Sequence, residues 1–146
     1  MKEKESGTKY QETKQHGSRL FPFNIYPCSI PVDFSHVALH WHEEMEIIAV
    51  KKGKGRITVD TVSYPVEEGD ILAVFPGQLH AISCGNGERM EYENIIFHPN
   101  MLISKKTDTC NTDFLVPLLS GNVSLPLFVY TGQSALWGDF CLYRCK

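Results

Sequence analysis

The sequence predicts an all-β domain, either an antiparallel sandwich or a barrel, followed by a helical segment. Between residues 20 and 98, short runs of strand-forming residues alternate with turn signals at close spacing, which is typical of antiparallel sheets. Apolar residues make up 42% of the 146 residues and charged residues 21%, a balance typical of one globular domain. After Pro99 the strand signals give way to stretches of helical character. These observations favour one β-domain with a C-terminal helical extension.

The chain begins with a polar stretch that predicts a flexible arm. Residues 1–19 contain mostly Lys, Glu, Gln, Thr and Gly and have almost no apolar periodicity, so they offer little surface to bury. No apolar segment follows the first residues, so we expect no secretory signal and a cytoplasmic location. The longest apolar run, residues 71–75, is far shorter than the roughly 20 residues of a membrane-spanning helix, which argues against a membrane partner.

The strands of the predicted barrel, residues 20–99, are short and bounded by turn residues. Alternating apolar and polar residues, or continuous apolar runs, place them at 21–26, 37–42, 46–50, 56–60, 62–66, 71–75, 80–83 and 89–97. The sequence Lys-Lys-Gly-Lys-Gly at 51–55 predicts a turn between two of them. Residues 100–146 are expected to form a linker and the start of a helical segment, with helices at 111–119 and 134–146. The second of these ends without a capping signal, as expected of a chain cut inside a helix.

Charge and cysteine content exclude two classes of function. The net charge of −3 and the pI near 6.0 are unlike those of a domain that binds nucleic acid by itself, which usually carries a basic face. Five cysteines are scattered without any Cys-x-x-Cys pair, which argues against a structural zinc site or a redox dithiol. No Ser-His-Asp order or nucleophilic cysteine context indicates a catalytic residue.

The residues with the clearest chemical meaning are His40, His42, Glu46 and His80. On a strand, His40 and His42 point to the same side because the side-chain period is two. If the strand ran straight on, Glu46 would lie ~13 Å beyond His42, so a reversal at 43–44 is needed to bring it back beside the imidazoles. His80, after a Pro-Gly turn, could complete the set. Three imidazoles and a carboxylate suit a divalent transition metal such as Zn²⁺, Ni²⁺, Fe²⁺ or Mn²⁺.

This spacing resembles the two sequence motifs of the cupin family. The first motif, His-x-His followed by Glu and Gly, is matched at every spacing by His40, His42, Glu46 and Gly53. The second is matched at Gly69, Gly77 and His80. The chain departs from the family pattern at Phe34, Phe75 and Cys84, where Gly, Pro and Asn are usual. The resemblance implies a cupin double-stranded β-helix, or jelly-roll barrel, over residues 20–99.

Four segments of the sequence are similar to the N-terminal sensor domain of AraC-type transcriptional regulators. They are His-Trp-His-Glu-Glu-x-Glu-Ile-Ile at 40–48, Tyr-Pro-Val-x-Glu-Gly-Asp at 64–70, Pro-Gly-Gln-Leu-His at 76–80 and Phe-His-Pro at 97–99. In that family a cupin barrel binds a small-molecule effector, a helical segment forms a homodimer, and a C-terminal pair of helix-turn-helix motifs binds DNA. The resemblance therefore implies that DNA is bound through a domain missing from this chain, which we interpret as a fragment or a truncated reading frame.

Alternatives remain open for the site and for the function. His40, His42, Glu46 and His80 could hold a metal ion, or hydrogen-bond an effector directly. Tyr92 is a candidate effector contact, although core packing explains it equally well, as it does for the other candidate lining residues: Ile57, Phe75 and Met90. His16, His36 and His98 have no spacing partner and are treated as structural or surface residues. The effector is expected to be a small polar organic molecule such as a sugar. The alternative function is a metal-dependent cupin enzyme of the dioxygenase or isomerase type.

Overall fold

Eight strands form the domain in the computed structural model, which describes residues 9–18, 20–103, 108–120 and 128–129. The strands are β1 Phe23–Ile30, β2 Val37–His40, β3 Met45–Val59, β4 Val62–Glu67, β5 Ile71–Val74, β6 His80–Ser83, β7 Met90–Phe97 and β8 Phe128–Val129. A 3-10 turn, Pro99–Met101, follows β7. A wide helical turn, Asn111–Leu115, continues directly into the α-helical turn Val116–Leu119. None of the helices in the described residues is long and apolar enough to span a membrane.

The long strand β3 joins two antiparallel sheets into a curled barrel. Its first half pairs with β7 and β5, and β1 and β8 extend this sheet at its two edges to give the order β1-β7-β3-β5-β8. Its second half pairs with β4 and β6, and β2 pairs with β6 in turn. Every pairing between these strands is antiparallel, so the predicted all-β cupin barrel with a helical segment after it is confirmed.

The turn predicted at 51–55 is wrong, because the chain passes through this stretch as part of β3. The pairing of β3 with β7 shifts register between Val50 and Lys52, and Gly53 has a positive φ of 79°. A Cβ atom at Gly53 would collide with the carbonyl oxygen of Arg89. The glycine thus permits a close approach to β7 and a bend from one sheet into the other. The residues at 51–55 do interrupt the regular pairing, as the sequence indicates, but they bend the strand and do not reverse the chain.

Other element boundaries also differ from the sequence-based expectation. The strand expected at 37–42 ends at His40, and the one expected at 21–26 continues to Ile30. The two-residue strand β8 was not predicted, although its backbone pairs with residues 71–72 of β5. The helix expected at 111–119 is confirmed, while the one expected at 134–146 lies outside the described residues.

The apolar core lies between the two sheets and draws on both. Buried side chains come from the end of β1 and from β3, β4, β5, β6 and β7: Ile30, Ile48, Val50, Ile57, Val59, Val66, Leu72, Val74, Ile82, Met90 and Tyr92. Their burial follows the period of two along β3, where Ile48 and Val50 face inward from one sheet and Ile57 and Val59 from the other. Of the candidate lining residues, Ile57, Met90 and Tyr92 are buried and Phe75 is half-buried.

Candidate metal and ligand site

The bend of β3 brings its two ends to face each other across the barrel. Glu46 lies near the start of β3 and pairs with Val74, whereas Val59 at its end pairs with His80 on the opposite sheet. His80 in turn pairs with His40, the last residue of β2. The connection after His40 carries the second histidine of the motif inward. One ligand atom from each of the four candidate residues lies within 4.8 Å of the others: His40, His42, Glu46 and His80.

The carboxylate of Glu46 is the centre of this cluster. Its Oε2 atom lies 2.9 Å from His42 Nε2 and 3.0 Å from His80 Nε2, and the residue is 1% exposed. Burial alone would raise the pKa of this carboxyl, but the hydrogen bonds from His42 and His80 outweigh it and hold the pKa well below its usual range. Glu46 is therefore an ionised group inside the barrel.

Backbone carbonyl groups orient all three imidazole rings in the same way. Each Nδ1 lies within hydrogen-bond distance of the carbonyl of a residue two positions away: His40 with Ala38 (2.8 Å), His42 with Glu44 (3.0 Å) and His80 with Gln78 (2.9 Å). A carbonyl oxygen can only accept, so Nδ1 carries the proton in each ring and donates it. Nε2 is left to face the site, which is the arrangement found in metal-binding histidines whose other ring nitrogen donates to a backbone carbonyl.

The pKa values of the two histidines in the His-x-His pair are shifted in opposite directions. Burial and the nearby His80 ring lower the pKa of His40. Burial also acts to lower the pKa of His42, but its hydrogen bond to Glu46 and the charge of that carboxylate raise it overall. His42 donates from both ring nitrogens when it is protonated, to Glu44 O and to Glu46. In the absence of a cation, the buried negative charge thus recruits a proton.

The same atoms fit a divalent transition-metal ion. Two neighbouring ligand atoms on an ion with bonds of about 2.1 Å lie about 3 Å apart, which matches the separations of Glu46 Oε2 from His42 Nε2 and His80 Nε2. With an ion in place of these hydrogen bonds, the three imidazoles would be neutral and present Nε2, and together with the ionised carboxylate they would form a donor set suited to Zn²⁺, Ni²⁺, Fe²⁺ or Mn²⁺. Such an ion would replace the proton that Glu46 otherwise attracts to His42.

The arm contributes two residues beside this cluster, Glu12 and His16. The Glu12 carboxylate lies 3.7 Å from His40 Nε2 and 3.2 Å from His16 Nε2, and the His16 and His42 rings are 6.0 Å apart. The sequence predicts a structural or surface role for His16, and in the structure this residue is buried, with its Nδ1 3.1 Å from Tyr26 Oη. The spacing of four between Glu12 and His16 was visible in the sequence. Nothing in that spacing related the pair to a motif that begins 24 residues later.

Tyr92 lies deeper in the barrel and is not among the converging residues. It pairs with Val50 on β3 and with Cys28 on β1, about 13 Å along the strand from the level of Glu46. It is buried, and burial raises the pKa of its hydroxyl well above the usual range. The Tyr92 hydroxyl is hydrogen-bonded with the Cys28 thiol, whereas within the described residues the buried Asn94 Oδ1 has no hydrogen-bond partner.

Comparison with known proteins places the chain in a family. The sequence profile described as "AraC-like ligand binding domain" matches residues 31–108, just over half of the 146 residues. An uncharacterised HTH-type transcriptional regulator, YdeC of Bacillus subtilis strain 168, is 25% identical over 97 residues. That alignment covers 66% of this chain and 33% of the regulator, so this chain spans about a third of the regulator's length.

Two solved structures are similar to the barrel. A Cupin 2 conserved barrel domain protein from Salinispora arenicola is 22% identical, with a TM-score of 0.49, over 56% of this chain and 67% of that one. A cupin protein from Bacteroides fragilis is 24% identical, with a TM-score of 0.42, over 62% of this chain and 71% of that one. The profile match, which extends from the end of β1 past β7, includes all four converging residues. This chain belongs to the AraC-like ligand binding domain family.

Proposed function

We propose that this domain is the small-molecule sensor of an AraC-type transcriptional regulator, and that the effector binds at His40, His42, Glu46 and His80. The observation that carries the proposal is the convergence of these four polar groups inside an otherwise apolar barrel. Buried ionisable groups that meet without filling a purely structural role are typical of binding sites. The family match and the similarity to an HTH-type regulator support a regulatory role rather than a catalytic one.

The site favours a small polar effector such as a sugar or another polyhydroxylated compound. The ionised Glu46 accepts hydrogen bonds from hydroxyl or amino groups, and the Nε2 atoms of the imidazoles exchange hydrogen bonds with hydroxyl groups. The Tyr92 hydroxyl, beside the Cys28 thiol, would give a second polar contact to an effector that reaches deeper into the barrel.

The four residues would also hold a divalent transition-metal ion. The matching orientation of the three imidazoles by backbone carbonyl groups supports this part of the proposal. A bound ion would supply a Lewis-acidic point at which an oxygen or nitrogen atom of the effector is held. The protein's own part is to fix the ligand atoms, exclude water from Glu46, and hold the rings in one tautomer.

Control of transcription requires that effector binding favour one of two states of the regulator. An effector shifts such an equilibrium only as far as its affinities for the two states differ. We propose that the arm, through residues 9–18, and the helical segment after the barrel change between these states. The helical segment would act in a homodimer, and DNA would be bound in the cytoplasm by a helix-turn-helix domain outside these residues. The division into arm 1–19, barrel 20–99 and extension 100–146 is part of this proposal.

A ligand screen with matched variants tests the proposed sensor role. Small metabolites, sugars among them, are screened by thermal shift on the wild-type chain, with and without added Zn²⁺, Ni²⁺ or Mn²⁺. Hits are repeated on His42→Ala and on the control Glu91→Gln, which removes a carboxylate from the opposite face of β7 to Tyr92. We expect an effector to stabilise the wild-type and control proteins and not His42→Ala. Equal stabilisation of all three would contradict binding at this site.

The alternative function is a metal-dependent cupin enzyme of the dioxygenase or isomerase type. One observation favours it: the donor set of three histidines and one glutamate would also serve to bind and polarise a substrate. The same hits distinguish the two functions. A sensor leaves its ligand unchanged during prolonged incubation with the metal-loaded protein, whereas an enzyme converts it, which mass spectrometry of the ligand detects.

A further inference from the structure

We infer that Glu12 is a further carboxylate ligand of the ion at this site, supplied by the arm rather than by the barrel. Metal occupancy and docking of the arm residues 9–18 are then coupled. The inference rests on the proposed metal-holding role of the barrel residues. It adds a residue outside both the matched motif and the family profile, which begins at residue 31.

The arm is hydrogen-bonded to the residue that separates the two histidines of the motif. The Trp41 backbone N–H donates to the carbonyl of Tyr10 at 2.9 Å, and the Glu12 N–H donates to the carbonyl of Trp41 at 2.9 Å. These two bonds form a parallel bridge between Gln11 and Trp41. Because Trp41 lies between His40 and His42, this bridge fixes the arm in register with the metal ligands.

The Glu12 side chain points from this bridge towards the ligand nitrogen of His40. Its Oε2 atom lies 3.7 Å from His40 Nε2, the ring nitrogen left free when Nδ1 bonds to Ala38. On an ion with bonds of about 2.1 Å, neighbouring ligand atoms are about 3 Å apart and opposite ones about 4.2 Å apart, so 3.7 Å lies within the range of two ligands of one ion. Glu12 lies outside the four residues whose ligand atoms are all within 4.8 Å of one another, so its carboxylate would move towards them when the ion binds.

His16 holds the Glu12 carboxylate from the other side. His16 Nε2 lies 3.2 Å from the same Oε2 atom, and the His16 side chain is 3% exposed. Its Nδ1 lies 3.1 Å from the hydroxyl of Tyr26, which anchors the ring to β1. The Glu12 side chain is 27% exposed, so one side of it remains in contact with solvent. The geometry is that of a positioned ligand rather than of a free surface carboxylate.

A second carboxylate changes the ion that the site prefers. Glu46 and Glu12 together supply two negative charges, which balance a divalent cation, and the donor set becomes three nitrogens and two oxygens. Five or more ligands with this share of oxygen suit Mn²⁺, Fe²⁺ or Ni²⁺ better than Zn²⁺, which prefers four. Coupling is reciprocal, so whatever displaces Glu12 from the ion also weakens docking of the arm.

Titration with Co²⁺ tests this ligand role directly, since the visible absorption of bound Co²⁺ depends on its coordination number. The wild-type chain is compared with Glu12→Gln and with the control Glu91→Gln. We expect Glu12→Gln to lower Co²⁺ affinity about tenfold and to change the intensity of the visible bands. We expect Glu91→Gln to match the wild type in both. In parallel, Co²⁺ should slow tryptic cleavage after Lys9 and Lys14 in the wild-type protein, but not in Glu12→Gln.

The outcomes separate this inference from the function on which it rests. Equal Co²⁺ affinity and equal spectra for the wild type and Glu12→Gln would overturn the ligand role of Glu12 and leave the barrel site standing. A change in proteolysis without a change in spectrum would also overturn it, because Glu12 would then only position the arm. If the wild-type chain binds no Co²⁺, the metal-holding role of the barrel residues falls, and this inference falls with it.

Discussion

At the scale of single residues, one buried charge organises the candidate site. The ionised Glu46 sits between His42 and His80 at hydrogen-bond distance from both, inside an apolar barrel. A buried carboxylate is costly unless it is paired, and here its partners are the rings of His42 and His80. The arrangement is thus stable only when a proton or a metal ion supplies positive charge.

Replacement of Glu46 by glutamine removes the charge of the side chain and keeps its shape. We expect Glu46→Gln to lower the free energy of unfolding of the metal-free protein by about 2 kcal/mol at pH 6, because the protonated His42 loses its buried counter-charge. Urea unfolding followed by circular dichroism measures this. The control Glu91→Gln should fall within about 0.5 kcal/mol of the wild type. A Glu46→Gln protein as stable as that control would show that the carboxylate is not paired in solution.

The raised pKa of His42 and the lowered pKa of Glu46 predict a pH window of stability. The contribution of His42 is fully present below its unfolded pKa of about 6.5 and is lost as pH rises through the higher folded value. The contribution of Glu46 is present above an unfolded pKa of about 4.3 and is lost as pH falls. Both contributions therefore operate together between about pH 4.3 and 6.5 in the metal-free protein.

The pKa of His40 is shifted downward, which acts against the stability gained from His42 at low pH. The pH window is therefore best measured as a difference in unfolding free energy between variants. We expect the unfolding free energy of wild type minus that of His42→Ala to be larger at pH 5.5 than at pH 8.5. The exposed His36 gives the control, since His36→Ala should show no such change. A difference for His42→Ala that is independent of pH would contradict the paired state.

The convergence of the barrel residues could largely be predicted from the sequence, but the position of the arm residue Glu12 beside them could not. The period of two along a strand placed His40 and His42 on one side, and the need for a reversal at 43–44 placed Glu46 beside them. Glu12 lies beside these residues because its neighbour Gln11 forms a parallel bridge with Trp41. That contact depends on where the arm crosses the finished barrel, and no local pattern encodes it.

At the scale of elements, the bend in β3 is what assembles the site. The strand crosses from one sheet to the other near its midpoint, at Gly53, so Glu46 near its start faces the level of His80 near its end. The sequence signals at 51–55 correctly indicated a break in regular pairing. Whether such a break reverses or bends a strand depends on the partners available, here β7 on one side and β4 and β6 on the other. That choice is a tertiary property.

Glycine at this bend has a specific steric role that substitution can measure. Gly53 combines a positive φ of 79° with a close approach to the carbonyl of Arg89. Gly87 has a similar φ of 76°, but a Cβ there would meet nothing within 4 Å. We expect Gly87→Ala to cost about 1 kcal/mol from backbone conformation alone, and Gly53→Ala to cost at least twice that. Equal losses in urea unfolding would contradict the proposed close approach.

At the scale of the whole molecule, the site links three parts of the chain. The barrel supplies four of its residues, Glu12 and His16 of the arm lie beside them, and the strand β8 pairs with β5 at the edge of the sheet that carries Glu46. The proposed coupling of site occupancy to the arm and to the segment after the barrel would use these contacts. This arrangement suits a sensor that reports to a domain outside these residues, as proposed above.

Because a bound ion stabilises the folded state by mass action, metal should raise the stability of the whole domain. At a free concentration 100 times the dissociation constant, the gain is about 2.7 kcal/mol, or on the order of 5–10 °C in Tm for a chain of this size. Differential scanning fluorimetry with Mn²⁺, Ni²⁺ or Zn²⁺, and again after chelation, measures the shift. We expect no shift in a His42→Ala, His80→Ala double variant. A shift of the same size in that variant would place the ion elsewhere.

The most direct test of the central claim, that four barrel side chains form one binding site, is a crystal structure of the metal-soaked protein with anomalous scattering recorded at the metal edge. The account expects one anomalous peak per chain, within about 2.3 Å of ligand atoms from His40, His42, Glu46 and His80. The absence of a peak among these residues, or a peak at another place on the chain while the four side chains keep only their mutual hydrogen bonds, would contradict it.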